Sequence, residues 1–130
     1  MEPTLTGGAD PRDADTTVAQ LRGLVARFVA ERDWEKYHDA KNLSMAIAIE
    51  AAELMEHFQW LRSEDLDAAL RDPALRDKIR DELADVVAFV LALANRLDID
   101  VSAALSRKMC KNVEKYPAEQ FRGRYEKPGR

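Results

Sequence analysis

The stretch AIAIEAAELMEHFQW, Ala46 to Trp60, has the apolar content of one well-buried helix and yet carries glutamates at Glu50, Glu53 and Glu56. Burying an ionised carboxylate costs several kcal/mol even after the surroundings relax. A salt bridge, a water-filled cleft or a bound cation must therefore compensate, and the rest of the chain has to say which.

Asn42 is a reasonable N-cap for this helix, which the pattern carries to about Leu61. Leu43, Met45, Ile47, Ile49, Leu54, Met55 and Phe58 leave it apolar on most of its circumference, which places it at the centre of a bundle or at its interface. Upstream, Thr17 and Gln20 spell a capping box. From there Val18, Leu21, Val25, Phe28 and Val29 recur at helical spacing to about Arg32. The segment DWEKYHDAKN that follows has no period. Downstream, SEDLDAALRD reads as a short helix capped by Ser63, and Asp72 followed by Pro73 is a strong start signal for a third long helix. The first half of that helix is charged and its second half, LADVVAFVLALA, nearly all apolar. After the turn LDID a fourth helix runs from about Val101 until Pro117 ends it, because proline cannot continue the backbone ladder. There is no β-alternation, Gly-rich phosphate loop or internal repeat. The expected fold is all-α, with four principal helices.

At 130 residues the chain suits one domain with a modest core, so helices that share their core with a second copy fit its size. The single cysteine, Cys110, can form no internal disulfide and reads as a small core or interface residue in a reduced compartment. The N-terminal stretch MEPTLTGGADPRDADTT has no apolar core and too many acids for a leader peptide. The longest apolar run, Leu83 to Ala94, contains Asp85 and falls short of the roughly 20 residues a membrane span needs. These features predict a soluble cytoplasmic protein with no membrane partner. Its expected layout is a disordered N-terminal tail over 1–15, a domain over 16–120 and a flexible basic tail over 121–130. A net charge of −4 argues against binding a nucleic-acid polymer along a basic face. The acids gather mid-chain and the bases near the C-terminus, which suits a small polyanion bridged to the protein by metal.

Glu50 and Glu53 are three apart and share one face of the second helix; Glu82 and Asp85 repeat that spacing on the third. Short connections make consecutive helices antiparallel neighbours, so the two pairs can face each other as a four-carboxylate cage. Oxygen ligands at that density favour a hard divalent cation, Mg²⁺ or Mn²⁺, over zinc. The competing reading pairs these acids with Arg or Lys at a helix interface. A di-iron site needs Glu-x-x-His on two helices. Only Glu35 to His38 fits that spelling, and it falls in the unpatterned segment.

The blocks RDWEKYH, then KN, EAAELMEHFQW, DELADVV and SRKMCKNVEKYP, taken in that order from about Val18 to Pro117, resemble the MazG-like all-α nucleotide pyrophosphohydrolases, especially their dCTP pyrophosphatase branch. The resemblance implies a four-helix-bundle type fold and an oligomer, a homotetramer built as a dimer of dimers. It implies hydrolysis of a (deoxy)nucleoside triphosphate between the α- and β-phosphates, a role in removing unwanted nucleotides, and Mg²⁺, with Mn²⁺ as substitute, on Glu50, Glu53, Glu82 and Asp85. Glu53 is the candidate to take a proton from the attacking water. By the same resemblance Trp34, His38 and Trp60 line a nucleobase pocket, although taken alone a Trp at a helix end is more often a core plug. Lys108 and Asn112 would reach the phosphates, with Lys41 and Asn42 as further candidates. Val25 stands where the dCTP branch has a pocket histidine and Phe89 where it has a tyrosine. Losing those polar groups puts a preference for dCTP in doubt. The alternative from another class is a non-catalytic helical interaction module whose acids hold a structural cation or a basic partner.

Overall fold

The structure is a computed structural model that describes residues 10–126, and among these it is all-helical, with no strand. Helix α1 spans Val18–Glu31, α2 Ala40–Glu56, α3 Leu66–Ala69, α4 Pro73–Leu97, α5 Val101–Lys115 and α6 Ala118–Phe121; short 3₁₀ turns lie at Glu35–Tyr37 and Ser63–Asp65. The chain divides into two compact units, one ending at Asp98 and the other starting at Ile99.

In the first unit α1 starts at the expected capping box. The Gln20 N–H donates to the Thr17 hydroxyl at 3.1 Å, and Gln20 Oε1 accepts from the Thr17 N–H at 2.7 Å. The helix breaks at Asp33, whose φ of 53° is left-handed, a conformation that the short polar side chain of Asp tolerates better than most. The start of α2 differs from expectation. Its cap is Asp39, on extended backbone, whose carboxylate accepts from the Asn42 N–H at 2.8 Å. Asn42 is already inside the first turn, and its amide donates instead to the Tyr37 carbonyl at 3.1 Å, tying the 3₁₀ turn to the helix. The other end also differs: α2 stops at Glu56 rather than Leu61. Its last turn tightens as the N–H groups of His57 and Phe58 donate three residues back, to Leu54 and Met55. Ser63 caps nothing. It opens the 3₁₀ turn, and the expected single short helix is that turn followed by the four residues of α3.

Asp72 caps α4 by accepting from the Ala74 N–H at 3.0 Å, with Pro73 at the first helical position as read from the sequence. The apolar second half of α4 supplies the core. Leu91, Ala92 and Ala94 are buried, together with Val29 of α1 and Leu43 of α2, which is 1% exposed. Helix α4 packs against both α2 and α1. A reciprocal clasp fastens the α1 seam: Arg22 Nε donates to Asn95 Oδ1 at 2.9 Å, and Asn95 Nδ2 donates to the Arg22 carbonyl at 3.1 Å. A further bond runs from Arg22 Nη2 to the Ala94 carbonyl at 3.2 Å. The apolar circumference of α2 is only partly used, for Met45, Ile49 and Met55 remain exposed, as do Leu83, Val87 and Val90 on α4.

The second unit starts with α5, whose cap is Asp100, accepting from the Ala103 N–H at 2.8 Å; the helix ends at Lys115, two residues before Pro117. The rings of Tyr116 and Phe121 meet edge to face at 5.3 Å, which gives Tyr116 a packing role. Cys110 lies exposed on α5, so within this chain it is no core residue. Of the tails expected over 1–15 and 121–130, residues 1–9 and 127–130 lie outside the described residues. Arg12 to Asp15 form a hydrogen-bonded turn. Among the described residues no helix is long and apolar enough to cross a membrane.

Candidate functional site

The packing of α2 on α4 brings the acids of the two helices together. One carboxylate oxygen each from Glu50, Glu53 and Glu82 lie within 4.8 Å of one another, a group that could hold a metal ion. Asp85 is not among the three. Its side chain is exposed, but its negative charge is near enough to raise the pKa values of Glu50 and Glu82.

No Arg or Lys answers these acids: every ion pair among the described residues lies elsewhere, on the exposed surface. Glu50 Oε2 and Glu82 Oε2 are buried without a hydrogen-bond partner. Such orphaned oxygens are rare, because a buried acceptor that gives up water loses its solvation with no return. Desolvation is accordingly the largest cause that pushes the Glu50 pKa up to about 7, followed by its hydrogen bond to Glu53 and the charges of Glu53 and Asp85. Glu82 is raised as well, first by desolvation and then by the charge of Glu53. Of the compensations open to these glutamates, a salt bridge is thereby excluded within the described residues, and an oxygen-rich, proton-hungry cluster remains. Its donor set is that of a hard cation.

The ring of His38, at the end of the first 3₁₀ turn, lies 6.5 Å from that of Phe89, tilted by 45°. Phe89 is one turn beyond Asp85 on α4, so this ring pair adjoins the acidic cluster along the helix. Trp34 is 43% exposed and meets Phe28 edge to face at 5.7 Å, and the Arg32 guanidinium covers Phe28 at 3.8 Å. Trp60 is 88% exposed in the turn after α2 and therefore plugs no core within this chain. Lys41 is exposed at the start of α2, and Asn42 is held locally by Tyr37 and Asp39. Lys108 and Asn112 belong to the second unit, where Lys108 is exposed and the Asn112 amide rests 3.8 Å from Met109 Sδ.

A cavity of about 230 Å³ opens beside this ring pair, walled by the methyl groups of Val25, Ala26, Val29 and Ala92. Its polar lining comes from Glu35, His38, Asn95 and Arg96. Sequence reasoning assigned only His38 and Val25 among these to a nucleobase pocket, with Val29 read as part of the apolar stripe of α1 and Glu35 as the start of the Glu-x-x-His spelling. Arg96 was within reach, since Glu82, Asp85, Phe89, Ala92 and Arg96 follow one another at alternating steps of three and four along one face of α4. Glu35 had no such signal, because it belongs to a single 3₁₀ turn without periodicity.

Comparisons with known proteins follow the same outline. The chain is 36% identical to dCTP pyrophosphatase 1 of Bos taurus over 122 residues, 94% of this chain and 72% of that protein. It is 36% identical to dCTP pyrophosphatase 1 of Homo sapiens over 121 residues, 93% and 71% of the two chains. A crystal structure of a pyrophosphatase from Archaeoglobus fulgidus superposes with a TM-score of 0.73 at 36% identity, covering 83% of this chain and 99% of that one. A profile of the MftR C-terminal domain matches residues 12–77, stopping before Glu82 and Asp85, whereas the MazG-like profile matches residues 45–129 and takes in both acidic pairs. With relatives of one kind aligned over nearly the whole chain, it belongs to the MazG-like family of nucleotide pyrophosphohydrolases.

Proposed function

We propose that the chain hydrolyses (deoxy)nucleoside triphosphates to the monophosphate and pyrophosphate with Mg²⁺ at the acidic cluster, acting on free pyrimidine deoxynucleotides such as dCTP or modified dCTP in the cytoplasm. The observation that carries this is the meeting of three carboxylates from α2 and α4 with two orphaned oxygens and no basic partner. Glu50, Glu53 and Glu82 would hold the ion, with Asp85 approaching from the exposed side; Mn²⁺ would substitute. Bound there, the cation would offset phosphate charge and acidify a water for attack.

The chain's own residues divide the remaining work. Glu53 contributes one of the three clustered carboxylate oxygens and is the group assigned to accept the proton of the attacking water. Trp34 and Trp60, both exposed, offer ring faces on which a base can stack, while His38 and Phe89 form a second aromatic wall. Lys41, Asn42, Lys108 and Asn112 are retained as phosphate-binding candidates on the strength of the family resemblance. In a cell this activity would clear surplus or modified nucleotides.

The test is chromatographic. Incubated with Mg²⁺ and a panel of nucleoside triphosphates, the protein should release monophosphate and pyrophosphate in equal amounts. Diphosphate and inorganic phosphate as the products would place the cleavage at the wrong bond and refute the proposal.

The exposed apolar side chains of α2 and α4 support a homo-oligomer, proposed as a tetramer of four-helix-bundle type that covers Met45, Ile49, Leu83 and Val87. Light scattering should return about four times the chain mass, and a monomer at micromolar concentration would refute it.

A further inference from the structure

The acids do not end the run of polar groups between α2 and α4. His38, just before α2, meets Phe89, while Glu50, a dozen residues later, meets Glu82, seven residues earlier on α4. The two helices therefore run in opposite senses, and the aromatic pair marks one end of the acidic stretch. Leaving that stretch at its other end means going forward along α2 and backward along α4.

Each helix carries one basic side chain there. His57 follows Glu53 by four residues and Glu50 by seven, so it continues the acids' face of α2, about 6 Å beyond Glu53 at a rise of ~1.5 Å per residue. Its backbone keeps helical angles, φ −69° and ψ −16°, so the spacing holds past the last residue of α2. Lys78 precedes Glu82 by four residues and Asp85 by seven, the corresponding position on α4. Arg76 and Arg80, the other bases of that charged half-helix, fall on other faces, and Arg80 is held by Asp77. His57 is half-buried and Lys78 exposed, and neither side chain has a hydrogen bond, ion pair or ring contact within the described residues. A Lys ammonium only donates, and an imidazole offers an N–H in either protonation state. The carboxylates outnumber what one divalent ion can neutralise, so a phosphate lying beyond that ion needs a donor of its own.

We propose that His57 and Lys78 hold the terminal phosphate of a nucleoside triphosphate, so that the chain takes triphosphates over diphosphates. The inference rests on the nucleotide reading of the acidic cluster and deepens it. With the base at the aromatic end and the bond to be cleaved at the acids, the outermost phosphate falls at the end that His57 and Lys78 flank. A diphosphate still reaches from the base to the acids but leaves both donors without a partner. Hydrogen bonds to phosphate from a charged donor are of the strong class, so their loss is read in binding. The terminal phosphate takes no part in the bond that breaks, and holding it therefore acts mostly on KM.

The experiment measures steady-state turnover of dCTP and dCDP with Mg²⁺, and equilibrium binding of pyrophosphate and of dCMP with Mg²⁺ by calorimetry, for the full chain and for His57→Ala, Lys78→Ala and Lys78→Arg. The unsubstituted protein should favour dCTP over dCDP by about thirtyfold in kcat/KM. His57→Ala and Lys78→Ala should each lower kcat/KM for dCTP about tenfold, mostly through KM, and leave dCDP within about twofold. Each should weaken pyrophosphate binding about tenfold and leave dCMP binding unchanged. Lys78→Arg, which keeps the charge and the donors, should stay within about threefold of the unsubstituted protein. A merely structural role would move dCTP, dCDP and dCMP together. That result, a triphosphate to diphosphate ratio that either alanine substitution leaves unchanged, or no preference in the unsubstituted protein overturns the proposal. If neither nucleotide is cleaved, the activity reading fails by itself. Pyrophosphate binding that still depends on His57 and Lys78 would then uphold the phosphate clamp, and binding indifferent to either, or none, would overturn it.

Discussion

Glu53→Gln is expected to abolish pyrophosphate release while leaving the melting temperature unchanged or slightly higher. Glu53 contributes one of the three clustered carboxylate oxygens, and its charge, like that of Asp85, raises both Glu50 and Glu82. Glutamine keeps the volume and removes the charge, so packing is preserved and repulsion within the cluster eases. The same change removes a cation ligand and the group positioned to take the water's proton. General-base removal alone costs about 10² to 10⁴ in rate, and loss of a ligand adds to it, so kcat should fall at least about 10³-fold. Glu56→Gln, on an exposed carboxylate outside the cluster, serves as the control with turnover unchanged. A fall of many degrees in melting temperature for Glu53→Gln with turnover intact would show that these acids build structure, as the interaction-module reading requires.

How much of this was legible in sequence depends on how local each signal is. The start of α4 at Asp72 and Pro73, the box at Thr17 and Gln20, and the stop before Pro117 each rest on bonds within one turn, and the structure keeps all three. The start of α2 was misread because Asp39 and Asn42 are both competent caps. The choice between them turned on the backbone of the preceding 3₁₀ turn, which carries no period. The early end of α2 is hidden for a related reason, since His57, Phe58 and Trp60 continue an apolar pattern that a tightened turn accommodates as well as a helix. At the site, i, i+3 spacing identified the acids on each helix, but not how close each would come: Glu50, Glu53 and Glu82 converge while Asp85 stands apart. That offset depends on how α2 packs against α4, a property of two helices together. The clasp between Arg22 and Asn95 joins residues 73 apart in sequence and had no local signature at all.

Divalent-cation binding should strengthen steeply with pH, and metal-free stability should move the other way. The Glu50 pKa rises from 4.5 to about 7 on folding, so between those values the folded chain binds more protons than the unfolded one. Stability falls with rising pH wherever the folded state holds the extra proton. In a metal chelator, this group should therefore lower the melting temperature progressively from about pH 4.5 through pH 7, with the loss complete above that; the raised pKa of Glu82 acts in the same direction. A cation needs the carboxylates deprotonated and must displace that proton to bind. Each proton displaced makes the apparent affinity rise about tenfold per pH unit below 7, close to a hundredfold between pH 5 and pH 7, and level off beyond. The two slopes cross, so the stabilisation by Mg²⁺, read as the difference between melts with the ion and with chelator, should be slight at pH 5 and largest near pH 8. Glu50→Gln separates the causes. Having no proton to lose at that position, it should flatten the metal-free slope and weaken Mg²⁺ binding at every pH. A Mg²⁺ shift that stays the same from pH 5 to pH 8 would place the ion away from Glu50 and break the link between the orphaned oxygens and the metal.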